Sequence, residues 1–205
     1  MIETEEQARE YCAKLVDADR MAALARFVEM LIAENDRQNL VSDATLALAW
    51  QRHIADSLQL IELVPRETGP WIDLGTGAGF PGLAIAAALP DREVVLVESR
   101  KRRVEWLESV IKELGLTQCR VEGSRLEDVA SFPAGVISAR AFAPLEKLLR
   151  LSARFSTCDS YWLLPKGRKA AQELVEQPAT IQAMFHVEQS KTDPQAGILV
   201  GKGAP

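Results

Sequence analysis

Residues 71–90 read WIDLGTGAGFPGLAIAAALP: a short apolar run, glycines at three alternate positions, a proline, then small residues at helical spacing. Trp71–Leu74 is strand-like. Gly75, Gly77 and Gly79 stand at the turn that follows, where residues without Cβ atoms adopt positive φ and let a ligand lie against the backbone. Pro81, suited to a first helical turn, restarts the chain as helix with Gly82 beside it. In doubly wound sheets the first strand-to-helix turn carries such glycines, and ligands sit beyond the C-terminal ends of the strands.

Working outward, Val94–Val97, Arg120–Val121, Val136–Ser138 and Tyr161–Leu164 are further short strand-like runs. Between them lie helical stretches, Pro81–Leu89 and Arg103–Leu114, the latter with Val104, Leu107, Ile111 and Leu114 on one apolar stripe. This alternation predicts βαβ units, hence an α/β, Rossmann-like, mostly parallel sheet with helices on both faces. Before it, Leu24, Phe27, Val28, Leu31 and Ile32 recur at helical spacing within 21–35, and a second helical run covers 45–63 after the polar break at Ser42-Asp43. Residues 1–64 therefore read as a helical N-terminal extension packed on a core of 65–205, one structural domain overall. In the Pro/Gly-rich tail from Asp193, only Ile198–Val200 is a further strand candidate.

The chain has 205 residues, with 24 Lys+Arg against 29 Asp+Glu and a formal charge of −5. That balance gives no overall attraction to polyanions, so an RNA partner has to be met by a local basic patch. Cys12, Cys119 and Cys158 are widely spaced and lack metal-ligand spacing, which argues against a disulfide framework and against a metal site. The acidic start, MIETEE, is unlike a signal peptide, and no apolar run approaches the roughly 18 residues of a membrane span. A soluble cytoplasmic protein without membrane association is expected.

The dinucleotide fingerprint GxGxxG requires glycine at position 80, where this chain has Phe80. That is adverse to a nicotinamide dehydrogenase. What remains is Asp73, then GxGxG, then Glu98 at the end of the next strand, 21 residues past Gly77. An acidic residue at about that offset meets ribose hydroxyls. Asp73 beside a loop lacking the phosphate glycine favours a nucleoside with a cationic, amino-acid-like tail, as in S-adenosylmethionine. The fold expectation thereby sharpens to a Rossmann-like S-adenosylmethionine-dependent methyltransferase, with Asp73, Gly77 and Glu98 at the cofactor. Another nucleotide, or a purely structural turn, stays open.

After the fourth strand, VISARAFAP carries Arg140 but not the Asn/Asp-Pro-Pro-aromatic stretch common in methyltransferases of exocyclic amines. Cys158 precedes its strand and falls at the wrong end of the sheet for a nucleophile. The economical chemistry left is attack on the sulfonium methyl by an atom with a free lone pair, such as guanine N7, which mainly requires positioning. Arg100, Lys101, Arg102, Lys166 and Arg168 cluster after strand ends and are candidate RNA-phosphate contacts. For 100–103 a solvated first helical turn is an equal reading. In RHIADSL, His53, Asp56 and Ser57 lie on nearby helix faces, where a surface hydrogen-bonded pair is the plain interpretation. A methyltransferase of a small molecule or of another RNA is the alternative, since the chain is acidic and shows no appended RNA-binding domain.

In order, NLVS, RHIADSL, WIDLGTGAGFPGLAIA, VVLVESRKRRVEWL, VEGSRLEDV, VISARAFAPL and LLPKGR resemble the bacterial glucose-inhibited division protein B family from Asn39 to Arg168. The resemblance implies S-adenosylmethionine as donor and N7 of a guanine in the decoding-region loop of 16S rRNA as acceptor. It also implies the small ribosomal subunit or an assembly intermediate as partner, with no obligate protein partner. Carried over by position, cofactor contacts fall on Gly75, Phe80, Leu126, Glu127 and Arg140. His53 and Asp56 join Arg140 as positioning candidates near the acceptor. Ala139 between Ser138 and Arg140 departs from the family pattern, and beyond Gln172 no correspondence is drawn.

Overall fold

The computed structural model describes residues 1–205. Seven strands, β1 (Trp71–Leu74), β2 (Val94–Val97), β3 (Cys119–Glu122), β4 (Val136–Ser138), β5 (Tyr161–Gly167), β6 (Phe185–Gln189) and β7 (Gly197–Lys202), form one sheet in the order β3-β2-β1-β4-β5-β7-β6. The first five are mutually parallel, and β7 runs antiparallel between β5 and β6. Every residue of β1 and β2 is buried, as expected for strands covered on both faces. The winding reverses between β1 and β4, so the loops after these two strands flank the crevice where such sheets bind ligands.

Two apolar layers sandwich the sheet. On one face Leu24, Phe27 and Leu31 of the long N-terminal helix pack with Leu83, Trp71 and Leu96. On the other, Ile72, Leu74 and Val95 pack with Leu145, Leu148, Phe155 and Trp162. The N-terminal helices α1 (Glu5–Leu15) and α2 (Ala18–Gln38) thus share a core with β1 and β2. Helix α3 (Gly82–Ala88) follows the glycine turn and α4 (Lys101–Leu114) follows β2. Of the stripe expected on α4, Leu107 is buried and Val104, Ile111 and Leu114 are half-buried; Trp106 and Val110 complete the buried face.

Helix α2 is longer than the periodicity suggests because both ends are capped. Asp17 accepts from the Arg20 N–H at 2.9 Å, and Asn39 closes the helix at φ 45°. The continuous helix expected over 45–63 is instead broken into Asp43–Leu46, a π-helical turn Trp50–Ala55, Asp56–Leu58 and a 3-10 turn Gln59–Leu63. The Glu5 carboxylate accepts from the Trp50 and Gln51 N–H groups at 3.1 and 2.8 Å. A partner from α1 thereby satisfies amides at the start of the widened turn, which carries His53. Strand β6 lies outside every expected run, and the β6–β7 loop folds back on the N-terminal segment, with the Ile2 N–H donating to Lys191 O at 2.8 Å. No helix is long and apolar enough to cross a membrane.

Candidate functional site

The glycine turn after β1 is tied down by its own amides. Thr76 N–H donates to Val97 O at 3.1 Å, Gly79 and Phe80 N–H to Thr76 O at 2.9 and 3.1 Å, and Gly77 N–H to Glu98 Oε2 at 3.2 Å. Gly75 and Gly77 sit at φ 67° and 61°, where an L side chain is strained. Because these N–H groups are spent on protein acceptors, the turn offers no ring of amides to a pyrophosphate. The third glycine of a dinucleotide loop normally allows close helix–strand packing. Here Gly82 has that role: a Cβ on it would fall 2.4 Å from Leu96 Cδ2 and 2.6 Å from Asp73 Cβ.

Glu98 is 4 % exposed, and its Oε1 accepts from the Arg100 N–H at 2.9 Å while Oε2 holds Gly77. It lines a cleft of about 240 Å³ with Gly75, Ser124, Leu126 and Phe142. Acceptor oxygens for ribose hydroxyls, apolar walls for a base and a backbone free of side chain at Gly75 fit the nucleoside part of S-adenosylmethionine. Leu126 is in this wall; Glu127, exposed on the turn Leu126–Asp128, is not among the lining residues.

Asp73 does not face this cleft, which corrects the expected contact with the donor's tail. Its carboxylate has no exposed surface, Oδ2 accepts from the Gly82 N–H at 2.9 Å, and Oδ1 accepts from Ser138 Oγ at 2.7 Å. Burial raises its pKa, opposed by those hydrogen bonds. Asp73 joins β1, β4 and the start of α3.

Across the crevice, Arg140, Ala141 and Phe142 follow β4. Ala141 adopts φ 53° and lies in the walls of both the Glu98 cleft and a second cleft of about 290 Å³. Phe142 covers Gly75, whose Cβ would lie 2.5 Å from Phe142 Cδ2. Arg140 points to the second cleft: Nη1 lies 3.4 Å from Arg52 O and 3.5 Å from Asp56 Oδ2, and Nη2 lies 3.4 Å from His53 Nδ1. Burial lowers the Arg140 pKa, opposed by the Asp56 and Asp73 charges.

His53, Asp56 and Arg140 are therefore brought together, as the resemblance implies, and with them Phe80. The Phe80 ring is 2 % exposed and stacks on His53 and Phe27, with the Arg140 guanidinium 5.2 Å from its centroid. Phe80 is not among the residues lining the Glu98 cleft, and its ring packs against two residues of the second cleft, His53 and Arg140. Burial, then the positive charges of Arg140 and Arg52, push the His53 pKa down to about 3, so its imidazole is neutral at physiological pH. Asp56 also accepts from Thr192 Oγ1 at 2.7 Å and Gln59 Nε2 at 2.9 Å, and Arg52 pairs with Asp193 at 3.1 Å. The walls contributed by Ser190, Asp193 and Gly197 are what sequence reading missed. The Pro/Gly-rich composition marks a loop there but not its return to residues 52–59.

The basic candidates divide. Arg100 and Lys101 are exposed, with side chains 69 % and 90 % accessible, and Arg168 is exposed. Arg102, though exposed, donates to Arg37 O at 2.8 Å, a cation at the C-terminus of α2. Lys166 is a correction: its side chain is 8 % exposed, pairs with Glu173 at 2.9 Å and donates to Ala143 O at 3.0 Å. It buttresses the Arg140 loop instead of facing a phosphate. The largest groove, about 960 Å³, lies at the opposite end of the sheet, where the chain enters β1 and β2, and holds none of these residues.

Solved structures share the fold. A SAM-dependent methyltransferase from Aquifex aeolicus superposes with a TM-score of 0.59 at 17 % identity, covering 80 % of this chain and 95 % of that one. The fibrillarin/Nop5p complex gives 0.57 at 10 % identity, covering 75 % and 82 %. Among sequences, ribosomal RNA small subunit methyltransferase G of Erythrobacter litoralis is 60 % identical over 99 % of this chain and 98 % of its own length. The protein of the same name from Paracoccus denitrificans is 37 % identical over 86 % and 91 %. The family model for GidB, rRNA small subunit methyltransferase G, matches residues 20–196. With the glycine turn, the Glu98 cleft and the Arg140 loop arranged on this fold, the chain belongs to the GidB family of rRNA small subunit methyltransferases.

Proposed function

We propose that this chain transfers the methyl group of S-adenosylmethionine to N7 of a guanine in the decoding-region loop of 16S rRNA, as part of the small subunit or of an assembly intermediate. The observation that carries the reading is the pair of clefts meeting at Ala141, one walled by Glu98 and the glycine turn, the other by His53, Asp56 and Arg140, in a chain of this family. S-adenosylmethionine supplies an electrophilic methyl on a sulfonium. Glu98 accepts from the ribose hydroxyls, Leu126 and Phe142 flank the base, and the Gly75 backbone lies against the donor. Arg140, held by Asp56 and by the ring face of Phe80, orients the acceptor.

Guanine N7 already presents a lone pair, so no side chain has to remove a proton before attack; alignment supplies most of the rate. Arg100, Lys101 and Arg168 contact phosphates, giving affinity to a protein of net charge −5. Residues 1–64 act as an extension that completes the acceptor side of the 65–205 core. Labelled-methyl transfer to undermethylated small subunits, with cleavage mapping of 7-methylguanine, tests the reading. A labelled guanine at the decoding loop is expected; counts at background overturn it.

A further inference from the structure

We propose that His53 donates a hydrogen bond from Nε2 to O6 of the acceptor guanine and so selects guanine over adenine. This rests on the methyl-transfer reading above and adds the residue that reads the base. A guanidinium has only donors, so Arg140 Nη2, 3.4 Å from His53 Nδ1, requires Nδ1 to accept. The one ring proton of a neutral imidazole then sits on Nε2. That Nε2 is buried and has no hydrogen-bond partner, although His53 borders the acceptor cleft. Native proteins rarely leave a buried donor unpaired, so the Nε2–H of a residue lining this cleft calls for a partner.

Guanine brings a matching group. O6 is an acceptor next to N7, and adenine has an amino donor at the same place. The common bidentate arginine contact to O6 and N7 would occupy the lone pair that attacks. A single donor to O6 leaves N7 free. The Arg140 Nη groups are engaged by Asp56 Oδ2, Arg52 O and His53 Nδ1, so Arg140 orients the acceptor through His53, whose tautomer it sets. The neutral state needed is secured by burial and by Arg140 and Arg52, which push the pKa down to about 3. Stacking on Phe80, with centroids 4.8 Å apart, fixes the ring plane.

The test uses small subunits reconstituted with guanine or 2-aminopurine at the target; the analogue keeps N7 and lacks O6. The readout is the ratio of kcat/KM for the two bases, which cancels general losses. The wild type is expected to prefer guanine, and His53→Phe, which keeps the stack but lacks the donor, to lower that preference about 10- to 100-fold. His53→Gln, which restores an N–H, is expected to recover part of it. A His53→Phe preference equal to wild type, or a preference abolished by Arg140→Lys and not by His53→Phe, overturns the assignment. If His53→Phe does not fold, nitrogen-15 spectra of labelled wild type decide, since His186 is the only other histidine. A protonated Nε2 supports the proposal and a protonated Nδ1 overturns it. Failure of the methyl-transfer reading itself shows separately, as wild type that methylates no guanine.

Discussion

The His53 imidazole lies on the Phe80 ring with centroids 4.8 Å apart and planes 18° from parallel, and Phe27 stacks on the same ring at 5.1 Å. Phe80 closes the glycine turn, whereas Phe27 and His53 belong to the N-terminal helical segment. The glycine turn and the cleft proposed for the acceptor are thus coupled through one side chain. Phe80→Ala is expected to destabilise the fold by about 3–5 kcal/mol, the usual range for a buried phenylalanine, and Phe80→Leu by less. Urea denaturation checks both, and an Ala variant as stable as the wild type contradicts the packing role.

Glu98 accepts from backbone amides and lines the cleft proposed for the donor. Replacing it by Ala removes the proposed acceptor for the ribose hydroxyls. Affinity for S-adenosylhomocysteine is expected to fall roughly 10- to 100-fold, about 1.5–3 kcal/mol for hydrogen bonds to a charged group. Calorimetric titration measures it, and an unchanged dissociation constant refutes the ribose contact.

Gly82 and Gly115 separate steric from conformational demands. At Gly82 a Cβ meets Leu96 and Asp73 within 2.6 Å, so Gly82→Ala is expected to cost about 1–3 kcal/mol by overpacking. Gly115, at φ 63° with nothing within 4 Å of an added Cβ, is expected to cost about 1–2 kcal/mol on substitution by Ala, from backbone strain alone. Only the first is expected to disturb donor binding as well, because it displaces the helix that ends the glycine turn.

The depressed pKa of His53 gives a signed pH dependence. Its folded value of about 3 lies below the ordinary imidazole value of 6.5, so between these limits the unfolded chain binds the extra proton. Stability is unaffected by this group above pH 6.5 and declines as pH falls toward 3, with a slope of up to about 1.4 kcal/mol per pH unit. His53→Phe is expected to flatten that part of the curve in denaturation midpoints measured from pH 7 to 4. An unchanged slope indicates that His53 does not titrate as described.

Arg168 and Lys166 are only two residues apart and are expected to behave differently. Arg168→Ala is expected to weaken RNA binding and reduce the salt slope by about one while leaving the melting temperature unchanged. Lys166→Met removes the donor to Ala143 O and is expected to lower methyl transfer and stability together. Parallel salt titrations and melting curves distinguish them.

Much of the fold was decided by local pattern. The runs 71–74, 94–97 and 136–138, apolar except for Asp73 and Ser138, are the strands β1, β2 and β4 to the residue, because strands buried on both faces are built mostly of apolar side chains. The glycine turn and Glu98, which borders the cleft proposed for the donor, were legible for the same kind of reason: tight turns and strand ends have short-range signatures. Tertiary structure alone decided the rest. Phe185–Gln189 is an edge strand with four exposed residues, and its alternation rests on Phe185 and Val187 alone, too short a pattern to mark β6. The acceptor cleft joins Arg52 to Asp193 and Asp56 to Thr192, pairs 141 and 136 residues apart. No periodicity records such contacts. Asp73 and Lys166 show the same limit, since a charged side chain at a strand end reads alike whether it faces a ligand or is drawn inward by hydrogen-bond partners brought close only by folding.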